Sequence, residues 1–114
     1  MFIEGGIAWI PPVLWRLDRS WRQLKAEAPT LRQLPSEYFR KHFWLTTQPI
    51  EEPPEPGQFL EMIAHLDMDD RLLFSTDYPH WDFDSPDTAL PSVLPPGLRE
   101  KVRRDNARAL YGFA

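Results

Sequence analysis

The chain has 114 residues, of which 42% are hydrophobic and 26% are charged, a composition that indicates one globular domain and excludes a disordered tail. Its formal net charge of -4, with basic residues scattered among acidic ones, argues against nucleic acid as a partner. It has no cysteine, no apolar run near the roughly 20 residues of a membrane span and no secretory signal, which predicts a cytoplasmic protein without disulfides or a membrane partner.

The first residues predict the end of a strand followed by a tight turn. Residues 1–3 are apolar, Glu4 supplies an acid at the carboxyl end of this strand, and Gly5 and Gly6 provide the permissive backbone of the turn. For Glu4 the sequence favours a role in orienting the loop over a role as a metal ligand.

A long helix is predicted over about residues 12–27. Pro11 and Pro12 suit the loop and the first turn of a helix, where a missing N–H is tolerated. Apolar residues follow at helical spacing and form one stripe: Val13, Leu14, Leu17, Trp21 and Leu24. Asp18 and Arg22, four residues apart, predict a surface ion pair that adds a few tenths of a kcal/mol.

The second unit contains a short helix, a strand and another long helix. Ser36 is predicted to cap a helix that runs to Lys41, and the aromatic and β-branched residues 43–47 predict a strand. The acidic, proline-rich residues 51–57 predict a solvated loop. Apolar residues then recur at i, i+3, i+4 and i+7, which predicts a helix through Phe59, Met62, Ile63 and Leu66.

The third strand and the turn after it give the strongest functional signal. Leu72, Leu73 and Phe74 form a continuous apolar run, which is typical of a strand buried on both faces of a parallel sheet. Polar residues follow and Pro79 stops further pairing, so Asp77 is expected at the carboxyl end of the strand. Ligands and catalytic groups collect at that edge in open α/β sheets and in (β/α)8 barrels, which makes Asp77 the first candidate for chemistry.

A final helix is predicted after a loop over residues 82–97. Its apolar positions share one face: Leu98, Val102, Ala109 and Leu110. Asn106 falls on the same face. Because an unpaired buried amide costs on the order of 1–3 kcal/mol, we expect Asn106 to bond loop backbone and to anchor this helix to the sheet.

The order strand, helix, strand, helix, strand, helix predicts an α/β fold with a parallel sheet and helices outside it. Three βα units cannot close a barrel, and both outer strands are expected to have unpaired edges. The sequence therefore predicts that the chain is part of a larger structure.

Five motifs in order along the chain carry a family resemblance. They are Phe2-Ile-Glu-Gly-Gly-Ile-Ala-Trp9, Leu14-Trp-Arg-Leu-Asp18, Thr46-Thr-Gln-Pro49, Leu73-Phe-Ser-Thr-Asp-Tyr-Pro-His-Trp-Asp82 and Asn106-Ala-Arg-Ala-Leu-Tyr-Gly112. Together they resemble the carboxyl-terminal third of the amidohydrolase-2 family, whose members are metal-dependent TIM-barrel hydrolases and decarboxylases similar to aminocarboxymuconate-semialdehyde decarboxylase. The resemblance implies that residues 1–114 are the carboxyl-terminal part of a single barrel domain and supply its sixth, seventh and eighth strands.

The resemblance also implies a metal site. In such enzymes the strand-eight aspartate, here Asp77, binds the catalytic metal or takes a proton from the metal-bound water. The implied cofactor is a divalent metal, Zn2+, and the implied substrate is a small carboxylated or cyclic molecule that the full-length enzyme hydrolyses or decarboxylates. The His-x-His pair of the family falls outside this chain, and a catalytic zinc site needs about three protein ligands. We therefore expect the isolated chain to bind no metal stably and to be inactive.

Two residues after Asp77 are candidates for contact with the substrate. His80 is three residues from Asp77 on the same loop, and Trp81 follows it. Structural packing is the alternative for both rings, with His80 against Trp81 and Trp81 against the barrel. Asp77 also has an alternative role, in which its carboxylate accepts hydrogen bonds from the turn that follows.

A second hypothesis comes from a different class of protein. It is a non-catalytic α/β module that binds a partner through its open sheet edges. The candidate protein partners are a second copy of the chain and the missing amino-terminal part of the barrel. A His-x-His motif after an upstream strand supports the enzyme, and its absence supports the module.

Overall fold

The computed structural model describes residues 1–113, and the helices in this range lie close to the predicted positions. Their bounds are α1, Ile10–Gln23; α2, Pro35–His42; α3, Pro56–Leu66; α4, Pro96–Glu100; and α5, Asn106–Tyr111. A 3-10 turn at Lys25–Glu27 follows α1, and a π turn at Lys101–Asp105 joins α4 to α5 without a break. Within the described range, no helix is both long and apolar enough to cross a membrane.

The sheet is parallel, as the alternation of elements predicts, but its strands are short. β1 (Leu45–Thr46) and β2 (Leu72–Leu73) pair with Leu45 opposite Leu72. Phe2 pairs with Leu45 through an isolated parallel bridge, so a third extended segment lies beside β1. The spatial order follows the chain order, so the polar residues after each segment collect at the same edge of the sheet.

The core lies between the sheet and the helices. Side chains from α1, α3, both strands and the π turn are at most 2% exposed there: Ile10, Leu14, Leu45, Phe59, Leu66, Leu72 and Val102. Phe59 and Leu66 belong to the stripe predicted for the second long helix, and Val102 belongs to that of the final helix. The predicted inward face of the second long helix is therefore confirmed, whereas the face predicted for the final helix is buried at Val102 but wrong at Ala109, which is exposed.

The outer edge of β2 is partly capped, so the prediction of an unpaired edge is wrong for two backbone groups of this strand. Leu72 O accepts a hydrogen bond from Asn106 Nδ2 at 2.8 Å, and Phe74 N donates to Val102 O at 3.1 Å. Asn106 Nδ2 also donates to Asp69 O at 2.7 Å. These bonds confirm the predicted anchor, and they give partners to backbone groups of the third strand that face away from β1.

The stripe predicted for α1 is wrong in part. Val13, Leu17 and Leu24 are 41%, 46% and 51% exposed. The buried residues of α1 are instead Ile10, Pro11, Leu14 and Asp18. The buried face of α1 is thus rotated away from the predicted apolar stripe, and it includes the carboxylate of Asp18.

Asp18 lies on this buried face, so the predicted surface ion pair with Arg22 is wrong. Its carboxylate accepts from Ser36 N at 2.9 Å and from Ser36 Oγ at 2.7 Å. Ser36 is also not an N-cap, because α2 begins at Pro35 after Leu34. The two hydrogen bonds satisfy a carboxylate that packing removes from water, and they tie α1 to α2.

Candidate metal centre

Three groups that can bind a metal meet at the edge where the strands end. One oxygen of Glu4, one oxygen of Asp77 and one ring nitrogen of His80 all lie within 4.8 Å of one another. His80 Nδ1 lies 2.9 Å from Asp77 Oδ2, with the Asp77 side chain 12% exposed and the His80 side chain 59% exposed. The structure thus brings Asp77 and His80 together and adds Glu4, which sequence reasoning assigned to loop orientation.

Glu4 and Asp77 share an uncommon backbone conformation. Their φ angles are 56° and 62°, in the left-handed region. Residues other than glycine seldom adopt a positive φ, and those that do cluster at functional sites. At both positions the chain leaves its extended segment, so the two carboxylates lie beyond the paired residues of the sheet.

Side-chain hydrogen bonds hold the strand end that leads to Asp77. Ser75 N donates to Thr47 Oγ1 at 3.2 Å, and Gln48 N donates to Ser75 Oγ at 3.0 Å. Asp77 O then accepts from His80 N at 2.9 Å. This turn brings the imidazole of His80 back to the carboxylate of Asp77.

Glu51 holds the turn that carries Glu4, so the prediction of a solvated acidic loop is wrong for this residue. Its carboxylate accepts from Ile7 N at 3.0 and 3.1 Å and from Ala8 N at 3.0 Å. Gly6, just before these amides, has a φ of 65°, and a Cβ at this position would overlap Glu51 Oε1. Backbone N–H groups near a helix start need acceptors, and that need is the signal that sequence reasoning missed.

The charges in the cluster shift the pKa values of two members. Hydrogen bonding to Asp77 and the negative charge of Asp77 raise the pKa of Glu4. The hydrogen bond to Asp77 and the same negative charge also raise the pKa of His80. Positive charge at the cluster is therefore favoured, because it offsets the repulsion between neighbouring carboxylates.

Exposed aromatic side chains lie in the turn that carries Asp77. Trp81 is 94% exposed and Tyr78 is 75% exposed. The Tyr78 ring meets the Phe83 ring edge-on at a centroid distance of 5.5 Å. The exposure of Trp81 does not support the alternative in which His80 packs against it, and it leaves the flat indole face open to solvent.

A cleft of about 240 Å3 opens between the loops that follow β1 and β2. Its walls include apolar side chains, among them Ile50, Phe59 and Val93, and the three carboxylates of Glu51, Glu52 and Asp84. Asp84 N donates to Thr76 O at 2.9 Å, which makes one wall part of the loop that carries Asp77. The loop that carries Asp77 therefore also contributes to a concave surface, the usual setting of a small-ligand site.

The donor set of the cluster fits a divalent metal. Carboxylates and imidazole are ligands that Zn2+ and Mn2+ accept, and catalytic zinc sites use three protein ligands with one open position. Glu4, Asp77 and His80 supply two carboxylates and one imidazole. Sequence reasoning counted Asp77 alone, because no local pattern indicates that Glu4 lies beside it.

Decarboxylases are prominent among the known proteins that this chain resembles. The γ-resorcylate decarboxylase of Rhizobium radiobacter is 30% identical over 110 residues, which cover 90% of this chain and 31% of that protein. The structure of 5-carboxyvanillate decarboxylase from Sphingomonas paucimobilis matches 96% of this chain and 33% of its own, with a TM-score of 0.68 and 25% identity. The dihydroxybenzoic acid decarboxylase of Polaromonas sp. JS666, with bound manganese and the inhibitor 2-nitroresorcinol, matches 94% of this chain and 32% of its own, with a TM-score of 0.58 and 25% identity.

The chain spans about a third of the length of these relatives. The family model described as amidohydrolase matches residues 1–113, the whole of the described range. The sequence motifs and the parallel α/β fold agree with this match, and the chain therefore belongs to the amidohydrolase-2 family.

Proposed function

We propose that this chain is the carboxyl-terminal part of a metal-dependent decarboxylase that acts on a hydroxylated benzoate. The observation that carries the proposal is the position of Asp77 beside a second carboxylate and an imidazole at the carboxyl edge of the sheet. The relatives named above act by name on γ-resorcylate, 5-carboxyvanillate and dihydroxybenzoic acid, which favours loss of CO2 over hydrolysis. The non-catalytic module is not favoured, because both the cluster and the relatives point to chemistry.

Removal of a carboxylate from an aromatic ring requires a proton for the ring carbon and stabilisation of the charge that develops there. A bound divalent metal supplies a Lewis acid for this purpose. Asp77 binds that metal or holds a proton at Oδ2, the atom 2.9 Å from His80 Nδ1. His80 and Trp81 remain the predicted substrate contacts, and the exposed indole of Trp81 offers a face on which an aromatic ring stacks.

The rest of the active site comes, in this proposal, from strands outside the chain. The Phe2 segment, β1 and β2 correspond to strands six, seven and eight of a (β/α)8 barrel, as the family resemblance implies. The His-x-His pair of the family belongs to the first strand. The isolated chain is therefore expected to release no CO2.

A chimera tests the proposal. Residues 1–114 replace the matching third of the γ-resorcylate decarboxylase of Rhizobium radiobacter, and CO2 release from γ-resorcylate is measured with Mn2+ or Zn2+ supplied. Asp77→Asn is expected to lower kcat by on the order of 100-fold or more, because the carboxylate that binds the metal or holds the proton is lost. Asp87→Asn, on the exposed loop further along, is the matched control and is expected to keep most of the activity.

Thermal unfolding followed by circular dichroism verifies that the chimera and its variants fold. A folded, metal-loaded chimera that releases no CO2 from γ-resorcylate or 5-carboxyvanillate would overturn the decarboxylase assignment. Full activity of the Asp77→Asn chimera would overturn the role of Asp77.

A further inference from the structure

We propose that Glu4 and His80 are metal ligands together with Asp77, so that this chain holds a divalent cation with its own side chains. This inference rests on the metal dependence proposed above and extends it to two residues with other predicted roles, loop orientation for Glu4 and substrate contact for His80. It also replaces the expectation that the isolated chain binds no metal stably, because that expectation counted a single carboxylate.

The separations of the three donor atoms are close to those of a coordination shell. Metal bonds to nitrogen and oxygen are about 2.0–2.2 Å long, so two donors on one ion lie about 3–4 Å apart. His80 Nδ1 and Asp77 Oδ2 are 2.9 Å apart, and no pair of donors in the cluster exceeds 4.8 Å. Glu4 is exposed, so no packed neighbour prevents its side chain from rotating towards the other two donors.

Other contacts already fix the two backbone segments that carry the ligands. Glu4 N donates to Thr46 Oγ1 at 3.3 Å, and the carboxylate of Glu51 binds the amides that follow the Glu4 turn. The turn of Asp77 and His80 is closed by its own backbone hydrogen bond at 2.9 Å. A cation therefore meets ligands whose backbone is ordered beforehand, which lowers the entropic cost of binding.

The charges of the cluster favour a divalent cation. Two carboxylates with a neutral imidazole carry two negative charges, which one divalent ion neutralises. The charge of Asp82 acts on both Glu4 and His80 and adds negative potential. Mixed oxygen and nitrogen donors suit Mn2+ and Zn2+, whereas Cu(I) prefers sulfur ligands.

Metal titration of the purified 114-residue chain tests the inference. After a chelator has removed bound metals, MnCl2 or ZnCl2 is added in a calorimetric titration, and one ion per chain is expected. Glu4→Gln, Asp77→Asn and His80→Gln are each expected to weaken binding by about tenfold or more, because each removes one ligand. Glu52→Gln removes an exposed carboxylate elsewhere and is expected to change the affinity by less than about twofold.

The NMR chemical shifts of histidine ring nitrogens distinguish a metal ligand from a residue with a purely structural role. In NMR spectra of chain labelled with 15N-histidine, Zn2+ is expected to shift a ring nitrogen of His80 and to leave those of His42 and His65 in place. Circular dichroism and urea unfolding without metal verify that each variant keeps the wild-type fold.

The outcomes separate this inference from the proposed function. Weaker binding in Asp77→Asn, with wild-type binding in Glu4→Gln and His80→Gln, overturns the inference and leaves the function intact. Absence of binding by the folded wild-type chain also overturns the inference. A folded chimera that releases no CO2, while the three ligand variants still weaken binding, overturns the function and leaves the inference intact.

Discussion

Asp18 is a buried carboxylate whose two oxygens accept from two donors of one residue on the next helix. Oδ1 lies 2.9 Å from Ser36 N, and Oδ2 lies 2.7 Å from Ser36 Oγ. Asp18→Ala is expected to lower the free energy of unfolding by about 1.5–3 kcal/mol, because it leaves both donors without their acceptor. Urea denaturation of the isolated chain measures this change.

Two variants control this experiment. Ser36→Ala removes the hydroxyl and keeps the backbone N–H, so its effect is expected to be about half that of Asp18→Ala. Asp87→Ala changes an exposed loop carboxylate and is expected to stay within about 0.5 kcal/mol of wild type. Equal stability of Asp18→Ala and Asp87→Ala would contradict a stabilising role for the buried pair.

Sequence reasoning succeeded for Asn106 and failed for Asp18, and the difference is physical. Asn106 falls on the apolar face of a predicted helix, so its need for a hydrogen-bond partner followed from periodicity, and its bonds to backbone carbonyls confirm it. The stripe of α1 was placed through Leu17, whereas the buried face runs through Ile10, Leu14 and Asp18. That choice depends on where α2 packs, which hydrophobicity alone does not encode.

At the scale of elements, the contact between the loop after β1 and the turn before α1 is expected to control metal affinity. Glu51 accepts from Ile7 N and Ala8 N at 3.0–3.1 Å and thereby fixes the turn that carries Glu4. Glu51→Gln turns one acceptor oxygen into an NH2 group that opposes these N–H donors. It is expected to weaken Mn2+ binding by about tenfold, the lower end of the range for residues that hold a metal ligand in place.

Glu52→Gln is the control that distinguishes two effects of Glu51→Gln, the loss of the contact that positions Glu4 and the loss of one negative charge. It removes the same charge one residue along the chain, from an exposed side chain. Calorimetric titration of both variants with MnCl2 measures the difference. Equal affinities of the two variants would show that charge alone matters and that Glu51 does not position Glu4.

The order of the elements and the location of Asp77 followed from local patterns. A short apolar run, the polar residues after it and Pro79 were enough to predict the strand end. The proximity of Glu4 to Asp77 was not predictable in this way. It depends on pairing between distant segments, because Phe2 lies beside β1 and β1 lies beside β2. The sequence therefore predicted Asp77 and His80 as site residues, but it did not predict that Glu4 lies beside them.

At the scale of the whole molecule, the chain is more open than a closed domain of its length. Its radius of gyration is 15.6 Å, whereas about 13 Å is expected for a compact chain of this size. Large apolar side chains are exposed, among them Met1 at 50%, Ile3 at 61% and Trp15 at 53%. This surface agrees with a segment that packs against further elements of a barrel.

The two edges of the sheet differ in what they offer to such a partner. The β2 edge is capped at Leu72 O and Phe74 N by the final helix and the π turn. On the other side, Thr46 N donates to Phe2 O at 3.0 Å, so the backbone groups of Phe2 face β1. The neighbouring residues Met1 and Ile3 then direct their backbone groups outward, which makes this the edge on which another strand adds.

The open edge leads to a prediction about association of the isolated chain. At micromolar concentration we expect copies of the chain to associate through the Phe2 edge, because exposed backbone groups beside apolar residues template strand pairing. Ile3→Lys is expected to weaken this association by about tenfold, since a lysine on an edge strand opposes pairing. Sedimentation velocity over a range of concentrations measures the effect. Leu17→Lys is the control, because it adds the same charge on α1, away from the edge, at a position that is 46% exposed. If Leu17→Lys abolishes association and Ile3→Lys does not, the contact lies on the helix and the prediction about the edge is wrong.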